Sequence, residues 1–474
     1  MTSRSLTPLQ RNLIVTITLS ASFLSVLMMF LLITAFPKIM REFSINSTEV
    51  QWLTTGFMLT VAILIPITAY FIDTFKTRTV MISAMSLFFI GTLISLLAST
   101  FPVLLLGRII QGMGSGIMIP LMQTILYLIY PREKRGYAMG LAGMVINVAP
   151  AIGPPLSGML INYFGWRSLF YVPLPIAGVI LLLVILFMQN VTEQRQTEID
   201  MLSILLSTVG FGGMLYGFTK LQEAELTHIF TIVSLLAGAL ALVLFVVRQL
   251  RLETPILEIR VLKTPIFSLV AFISILAFSL LIAFETIMPM FIQNAQQYSA
   301  YYGGLVVMPG ALTLAVMSLL AGKLFDKYGG KSIAIIGFAL LCLSAIGSYI
   351  ILDLETPFIM TMVLFMIAMG GSALINMPIM TAGINALPDS LIPHGTSVIN
   401  TIRQFGGTLG LTFIISFISR AEAGSEAINP QNYLTGVKTA FFVAFLFAVV
   451  GFLLSFFIEK DRESSNRGVQ SGTQ

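Results

Sequence analysis

The chain has 474 residues and a formal net charge of +5, and it is 57% hydrophobic but only 10% charged, with a mean hydropathy of +0.94. Soluble domains carry about 25% charged residues, so a water-solvated surface of this size is excluded, and so small a positive excess gives no reason to invoke nucleic acid as a partner. One cysteine, Cys342, and two widely separated histidines, His228 and His394, exclude a disulfide framework and leave no metal-ligand spacing.

Apolar runs of the about 20 residues needed to cross a bilayer recur from end to end. In chain order they are Leu13–Phe36, Val50–Phe71, Thr79–Ala98, Val103–Leu128, Tyr137–Ile161, Leu169–Met188, Met201–Thr219, Ile229–Val247, Ile266–Phe291, Tyr301–Leu324, Ser332–Leu352, Phe358–Ala382, Gly395–Ile418 and Val437–Phe457. Helices satisfy their own backbone hydrogen bonds in lipid, and the alternating pattern of a membrane barrel is absent. The expected fold class is an all-α polytopic membrane protein with 14 spans. The first run is too long for a cleaved signal peptide and lacks a small-x-small cleavage site, so it is read as retained.

An even number of spans puts both termini on one side. Of the basic residues, 18 then fall on that side and six on the other, with Arg108 and Arg403 inside spans. That asymmetry predicts cytoplasmic termini and a multi-pass protein of the cytoplasmic membrane. Asn46-Ser47-Thr48 forms a glycosylation triplet on the far side, a pattern common by chance.

The chain also repeats itself. Pro37 and Pro289 lie 252 positions apart, each near the end of a span, and Asp73 and Asp326 lie 253 apart, each just after one. This predicts two parallel six-span halves related by an axis along the membrane normal, the arrangement of many secondary transporters. The organisation expected is residues 1–190 for the first bundle, 191–260 for two inserted peripheral spans, 261–460 for the second bundle and 461–474 for a short cytoplasmic tail.

Several stretches carry a family resemblance. Gly322-Lys-Leu-Phe-Asp326-Lys327-Tyr-Gly329-Gly330-Lys331 is similar to the GxLxDxxGxK loop of the major facilitator superfamily. Ala69-Tyr-Phe-Ile-Asp73-Thr-Phe-Lys76-Thr-Arg78 is its first-half copy, without the glycines. Carboxylates at such helix ends accept hydrogen bonds from helix N-termini and pair with bases, so Asp73, Arg78, Asp326, Lys327 and Lys331 are expected to form gates made in one state and broken in the other. "GRIIQGMGSG" around Arg108 resembles the RxxQGxG pattern, whose arginine relatives assign to proton coupling. Gly153, Pro154 and Gly158, with Ser157 replacing a glycine, resemble the GPxxGG signature that marks exporters. Pro150, Pro154 and Pro155 remove three backbone donors from that span, so a bend is expected. "GWRSLFYVPLP" and "NTIRQFGGTLG" resemble patterns of the branch with 14 spans, the drug:proton antiporters.

One departure stands out. The first-span motif of that branch carries an aspartate where this chain has Met28, and an asparagine where it has Ile33. The carboxylate well inside a span is instead Glu285, one helical turn before Pro289. Intramembrane acids are costly and functional by default, so Glu285 is read as a proton-coupling and substrate residue, and Arg108 is assigned to the same role. Met28, Met29, Ile33, Phe36, Met288 and Met290 are the expected lining of an adaptable apolar cavity.

The expectation is a proton-coupled multidrug efflux antiporter of lipophilic, often cationic, drugs and dyes, working by alternating access. An exporter or flippase of one endogenous lipid or metabolite is the alternative. No phosphate-binding GxxxxGK[ST] loop is present, and neither histidine has a neighbour suited to nucleophilic catalysis. The chain is therefore read as no enzyme, as needing no cofactor beyond the proton gradient, and as a monomer whose partners are drugs, protons and membrane lipids.

Overall fold

The structure is a computed structural model; it describes residues 7–192, 194, 200–222, 229–422 and 429–458. The expected tail, 461–474, lies outside the described residues, as do Arg4, Arg195, His228, Lys460, Arg462 and Arg467.

Among the described residues, fourteen helical spans are long and apolar enough to cross a membrane. They are α1 (Pro8–Leu31), α2 (Ser47–Thr74), α3 (Thr77–Leu97), α4 (Phe101–Ile129), α5 (Arg135–Phe164), α6 (Pro173–Phe187), α7 (Met201–Gln222), α8 (Ile229–Arg251), α9 (Pro265–Met290), α10 (Ala300–Tyr328), α11 (Gly330–Ile351), α12 (Phe358–Asn385), α13 (Ile392–Glu422) and α14 (Pro430–Ser455). The chain is an all-helical, multi-pass membrane protein.

Local chemistry sets several helix ends. Thr7 and Asn46 are N-caps in reciprocal capping boxes, with Gln10 and Glu49 as the returning side chains. Asn46 of the glycosylation triplet is therefore engaged in starting α2, its Oδ1 accepting the Glu49 amide at 2.8 Å. Gly329 joins α10 to α11 at φ +79°, a conformation only glycine adopts without strain.

Pro37 acts differently from the expected span end. α1 stops at Leu31, a tight turn spans Ile33–Ala35, and Pro37 sits in the first turn of a new short helix, Phe36–Phe43. There its missing N–H is one of the unsatisfied donors anyway. The repeat partner, Pro289, lies inside α9. α5 continues as one helix through all three of its prolines.

Two apolar cores fill the molecule. One is built from α1–α6 alone; the other is centred on α9–α14. The second core also takes in Val15, Leu19, Ala69, Met122, Leu126, Tyr127, Ala138, Met139 and Ala142 from the first six helices. Every one of these lies toward the terminus-bearing ends of its helix, so the two halves share a core on that side. The inserted pair α7 and α8 packs on itself, and α7 also lies against α2 and α13. Phe211 and Phe218 of α7 meet Phe405 of α13, and Tyr216 stacks on Trp52 of α2. The insert thus covers one seam between the halves.

Candidate functional site

The α5–α10 seam shows how the halves are set. Near the terminus-bearing ends, a Cβ on Gly140 would stand 2.8 Å from the Ser318 carbonyl, and one on Gly136 or Gly322 would collide with Asp326 or the facing backbone. Gly158 lies 18 residues beyond Gly140, and Gly304 18 residues before Gly322. Eighteen residues are five helical turns, so each pair shares a helix face. Yet a Cβ on Gly158 or Gly304 would meet nothing within 4 Å. The two helices stay in contact from the inner glycines as far as Asn147 and Ser318, and beyond that the open space at Gly158 and Gly304 outlines a cleft that opens away from the termini.

Polar contacts close the other end. The Asp326 carboxylate accepts the main-chain N–H groups of Gly136 and Tyr137, both at 2.8 Å, at the unsatisfied N-terminus of α5. Arg135, 3% exposed, donates to Asp389 at 3.0 Å and to Asn385 at 3.2 Å. Across the second seam, Asp73 faces His394 at 2.8 Å, with both side chains buried. The other imidazole nitrogen, Nδ1, accepts the Glu258 amide at 3.1 Å. That assignment leaves Nε2 as the donor to Asp73. Deeper in, Thr124 meets Thr396, Tyr127 meets Thr381, Asn147 donates to Ser318, and Asn400 donates to Gln123.

This arrangement corrects part of the expected gate. The two aspartates cross between halves, but Arg78, Lys327 and Lys331 do not. Arg78 donates to the Ile185 carbonyl, Lys331 to the Phe456 carbonyl, and Lys327 stands over the Tyr328 ring. Each is at a helix end and makes its described contact within its own half. The basic groups that cross among the described residues include Arg135, His394 and Arg132, the last 3.7 Å from Asp389, and none of them was expected. Arg135 carried a weak signal, standing at the head of a span beside the expected loop. The lost first-half glycines are also explained: Asp73 reaches an imidazole rather than main-chain amides, so these two helix ends need not touch.

Arg108 is fully buried. Its Nε donates to the Leu53 carbonyl at 3.2 Å, one terminal nitrogen donates to the Met28 carbonyl at 3.2 Å and to Gln111 at 2.5 Å, and the guanidinium lies 4.3 Å from the Phe57 ring centroid. The other terminal nitrogen has no partner. At the place of the missing aspartate, then, a main-chain carbonyl faces the arginine. Its contacts all lie in the first half, and the structure does not bring Arg108 to Glu285.

Glu285 sits on α9 of the second half, half-buried, with no hydrogen bond or ion pair among the described residues. Ile33 is 46% exposed, and Met29, Phe36 and Met290 are half-buried. Met28 and Met288, at 1% and 0% exposure, are packed inside the cores of their own halves. Their expected place in the lining is corrected: each points away from the cleft because its helix faces a neighbour there. The exporter-type signature packs inward too, with Gly153 against Phe30, and Ser157 donating to the Leu31 carbonyl at 2.6 Å. Trp166 and Arg167 both donate to Glu42, which ties the start of the sixth span to the short helix after α1.

Two helical halves sealed at one end and parted at the other, with an acid inside a span that has no partner among the described residues, define a membrane transporter of small molecules rather than an enzyme. The chain belongs to the Major Facilitator Superfamily, whose profile matches residues 18–411. It is 47% identical over 97% of its length to the uncharacterized MFS-type transporter YcnB of Bacillus subtilis, of which 98% is covered. It is 35% identical to the lincomycin resistance protein LmrB of Listeria monocytogenes, over 90% of this chain and 92% of that one. Among solved structures, the human organic anion transporter MFSD10 superposes with a TM-score of 0.67 at 14% identity, covering 95% of this chain and all of that one; at that identity the likeness concerns the fold alone.

Proposed function

We propose that the protein is a proton-coupled exporter of lipophilic, often cationic, drugs and dyes, acting as a monomer in the cytoplasmic membrane with both termini in the cytoplasm. The observation that carries this reading is Glu285, an ionisable group inside a span with no protein partner among the described residues. An unpaired carboxylate in a low-dielectric wall is costly, and a proton or a bound cation removes that cost. In the state seen here, water from the side opposite the termini protonates one Glu285 oxygen as the drug cation leaves. After the halves rock, the proton departs to the terminus side and a new cation takes its place. The carboxylate is neutralised in both half-cycles, so the halves never rearrange around a bare charge. The resistance function in the name of LmrB and the exporter-type signature at Gly153, Pro154 and Gly158 support the direction. No cofactor is required, because the proton gradient supplies the work.

The test is uptake of ethidium into proteoliposomes under an imposed pH gradient, for wild type and Glu285→Gln. Loss of gradient-driven transport in a variant that stays monodisperse is the expected result. Normal transport by the variant would overturn the role of Glu285. If wild type ignores such cations altogether, the endogenous lipid or metabolite becomes the better cargo.

A further inference from the structure

The closed end of the cleft contains polar side chains whose donors the seal leaves unused. On α13, the outermost hydrogen bond described between the halves is Asn400 to Gln123. Arg403 lies one turn further out, half-buried, and mid-helix. It has no ion-pair partner among the described residues, and its one described hydrogen bond is a long one, 3.4 Å, to Asn400 Oδ1. The guanidinium is 4.8 Å from the centroid of the Phe278 ring on α9. That ring is also held one turn further along the same helix, since it fills the space where a Cβ on Gly407 would stand. Gln123, whose side-chain oxygen accepts from Asn400, has a fully buried Nε2 group with no acceptor.

Glu285 lies seven residues beyond Phe278 on the same helix. Seven residues are nearly two whole turns, so both side chains share a face about 10 Å apart along the axis. The wall of the cleft thus carries, in order from its floor, an amide donor, a guanidinium, a flat aromatic surface and a carboxylate. A guanidinium is planar, always charged, and matched to carboxylate geometry. Arg403 keeps donors that no described protein acceptor fills.

We propose that Arg403 and Gln123 form an anion-recognising subsite, so that the cleft selects amphoteric small molecules. An acidic group binds at Arg403, a flat body lies on Phe278, and a basic nitrogen about 10 Å away meets Glu285. This rests on the exporter reading for Glu285 but names a substrate class that reading leaves open. The positive charge of Arg403 offsets the cost of carrying a carboxylate into the membrane, and a ligand with a cation alone leaves that arginine unanswered.

The experiment compares norfloxacin, with a carboxylate and a basic piperazine at opposite ends of a flat bicycle, with its ethyl ester, which lacks the acid. Equilibrium binding to purified protein in detergent is measured for wild type, Arg403→Gln, Arg403→Lys and Glu285→Gln. The expected result is a preference of about tenfold or more for the acid in wild type, reduced to within about twofold by Arg403→Gln and partly kept by Arg403→Lys. Using the ratio cancels the ester's greater partitioning into detergent. No preference in wild type, or an equal loss of both ligands in Arg403→Gln, overturns the subsite. If Arg403→Gln does not fold, Gln123→Leu reads the same ratio. Transport separates the two readings. Acid preference without gradient-driven transport keeps the subsite and removes the exporter; gradient-driven ethidium transport without acid preference does the reverse.

Discussion

Replacing Asp326 by asparagine tests the closed end of the molecule most directly. The carboxylate accepts two main-chain N–H groups at 2.8 Å, from Gly136 and Tyr137, on the other half. Asparagine keeps one acceptor oxygen and turns an amide donor toward the second N–H. Hydrogen bonds to a charged group contribute about 1.5–3 kcal/mol each and neutral ones about 0.5–1.5 kcal/mol. Asp326 is half-buried, so solvent screening discounts the sum, and a loss of about 1–3 kcal/mol remains. Under the proposed rocking of the halves this contact is absent from the opposite state, so the loss falls on the state seen here alone. The ratio of the state seen here to the opposite one then falls by about 5- to 150-fold. Spin labels on cysteines placed at Gly158 and Gly304, where nothing stands within 4 Å, report the outer separation of α5 and α10 by electron–electron resonance. The long-distance population should shrink and a shorter one grow. Gly136→Ala, whose Cβ collides with the same carboxylate, should act in the same direction. Unchanged distance distributions in both variants would refute the view that this clasp holds the seal.

The Asp73–His394 pair should behave as a second, independent latch: a double-mutant cycle of Asp73→Asn and His394→Ala, read by thermal unfolding in detergent, should give a coupling of about 0.5–3 kcal/mol. Additive effects would mean that the pair contributes nothing as a pair. Gly91→Ala should lower the unfolding midpoint, at a cost of about 1–3 kcal/mol, because the new Cβ meets the backbone of Gly107 and Gln111 in the α3–α4 contact. Gly158→Ala, with nothing near its Cβ, should be neutral or slightly stabilising through helix propensity. Outside the spans, hydrogen bonds from Arg248 hold Asp200 down to about 2. Its folded value is depressed, so its contribution is full above the ordinary carboxylate range and disappears as pH falls through about 2. The stability gap between wild type and Asp200→Asn should therefore be constant from neutral pH to about pH 5 and close only in strong acid; a gap that closes near pH 6 would disprove the assignment.

Much of the architecture is present in one dimension. In lipid, a helix is the form that satisfies its own backbone, so hydropathy alone reports each span, and all 14 expected runs correspond to helices. Duplicated markers at Asp73 and Asp326 announced where the halves would meet, because a charge at a span end has few places to go. Glu285 was legible for the same reason: an acid inside an apolar run is conspicuous against a uniform background.

Tertiary packing decided what those residues touch. Arg78, Lys327 and Lys331 looked like gate partners by position, yet each makes its described contact within its own half, Arg78 and Lys331 to carbonyls and Lys327 to the Tyr328 ring. Arg135 meets Asp389 and His394 meets Asp73 across the seams because helix ends of the two halves converge there, juxtaposing residues 254 and 321 positions apart that no local pattern encodes. Met28 and Met288 carry the right chemistry for a cleft wall, but helix rotation turned both into their cores. The answer to the missing aspartate was likewise three-dimensional, since Arg108 is met by the Met28 carbonyl, a group every residue type presents and no side-chain pattern can reveal. Which end of the cleft is shut is set by hydrogen bonds and shared core on one side outweighing their absence on the other. That balance belongs to the pair of halves, and neither half's sequence contains it alone.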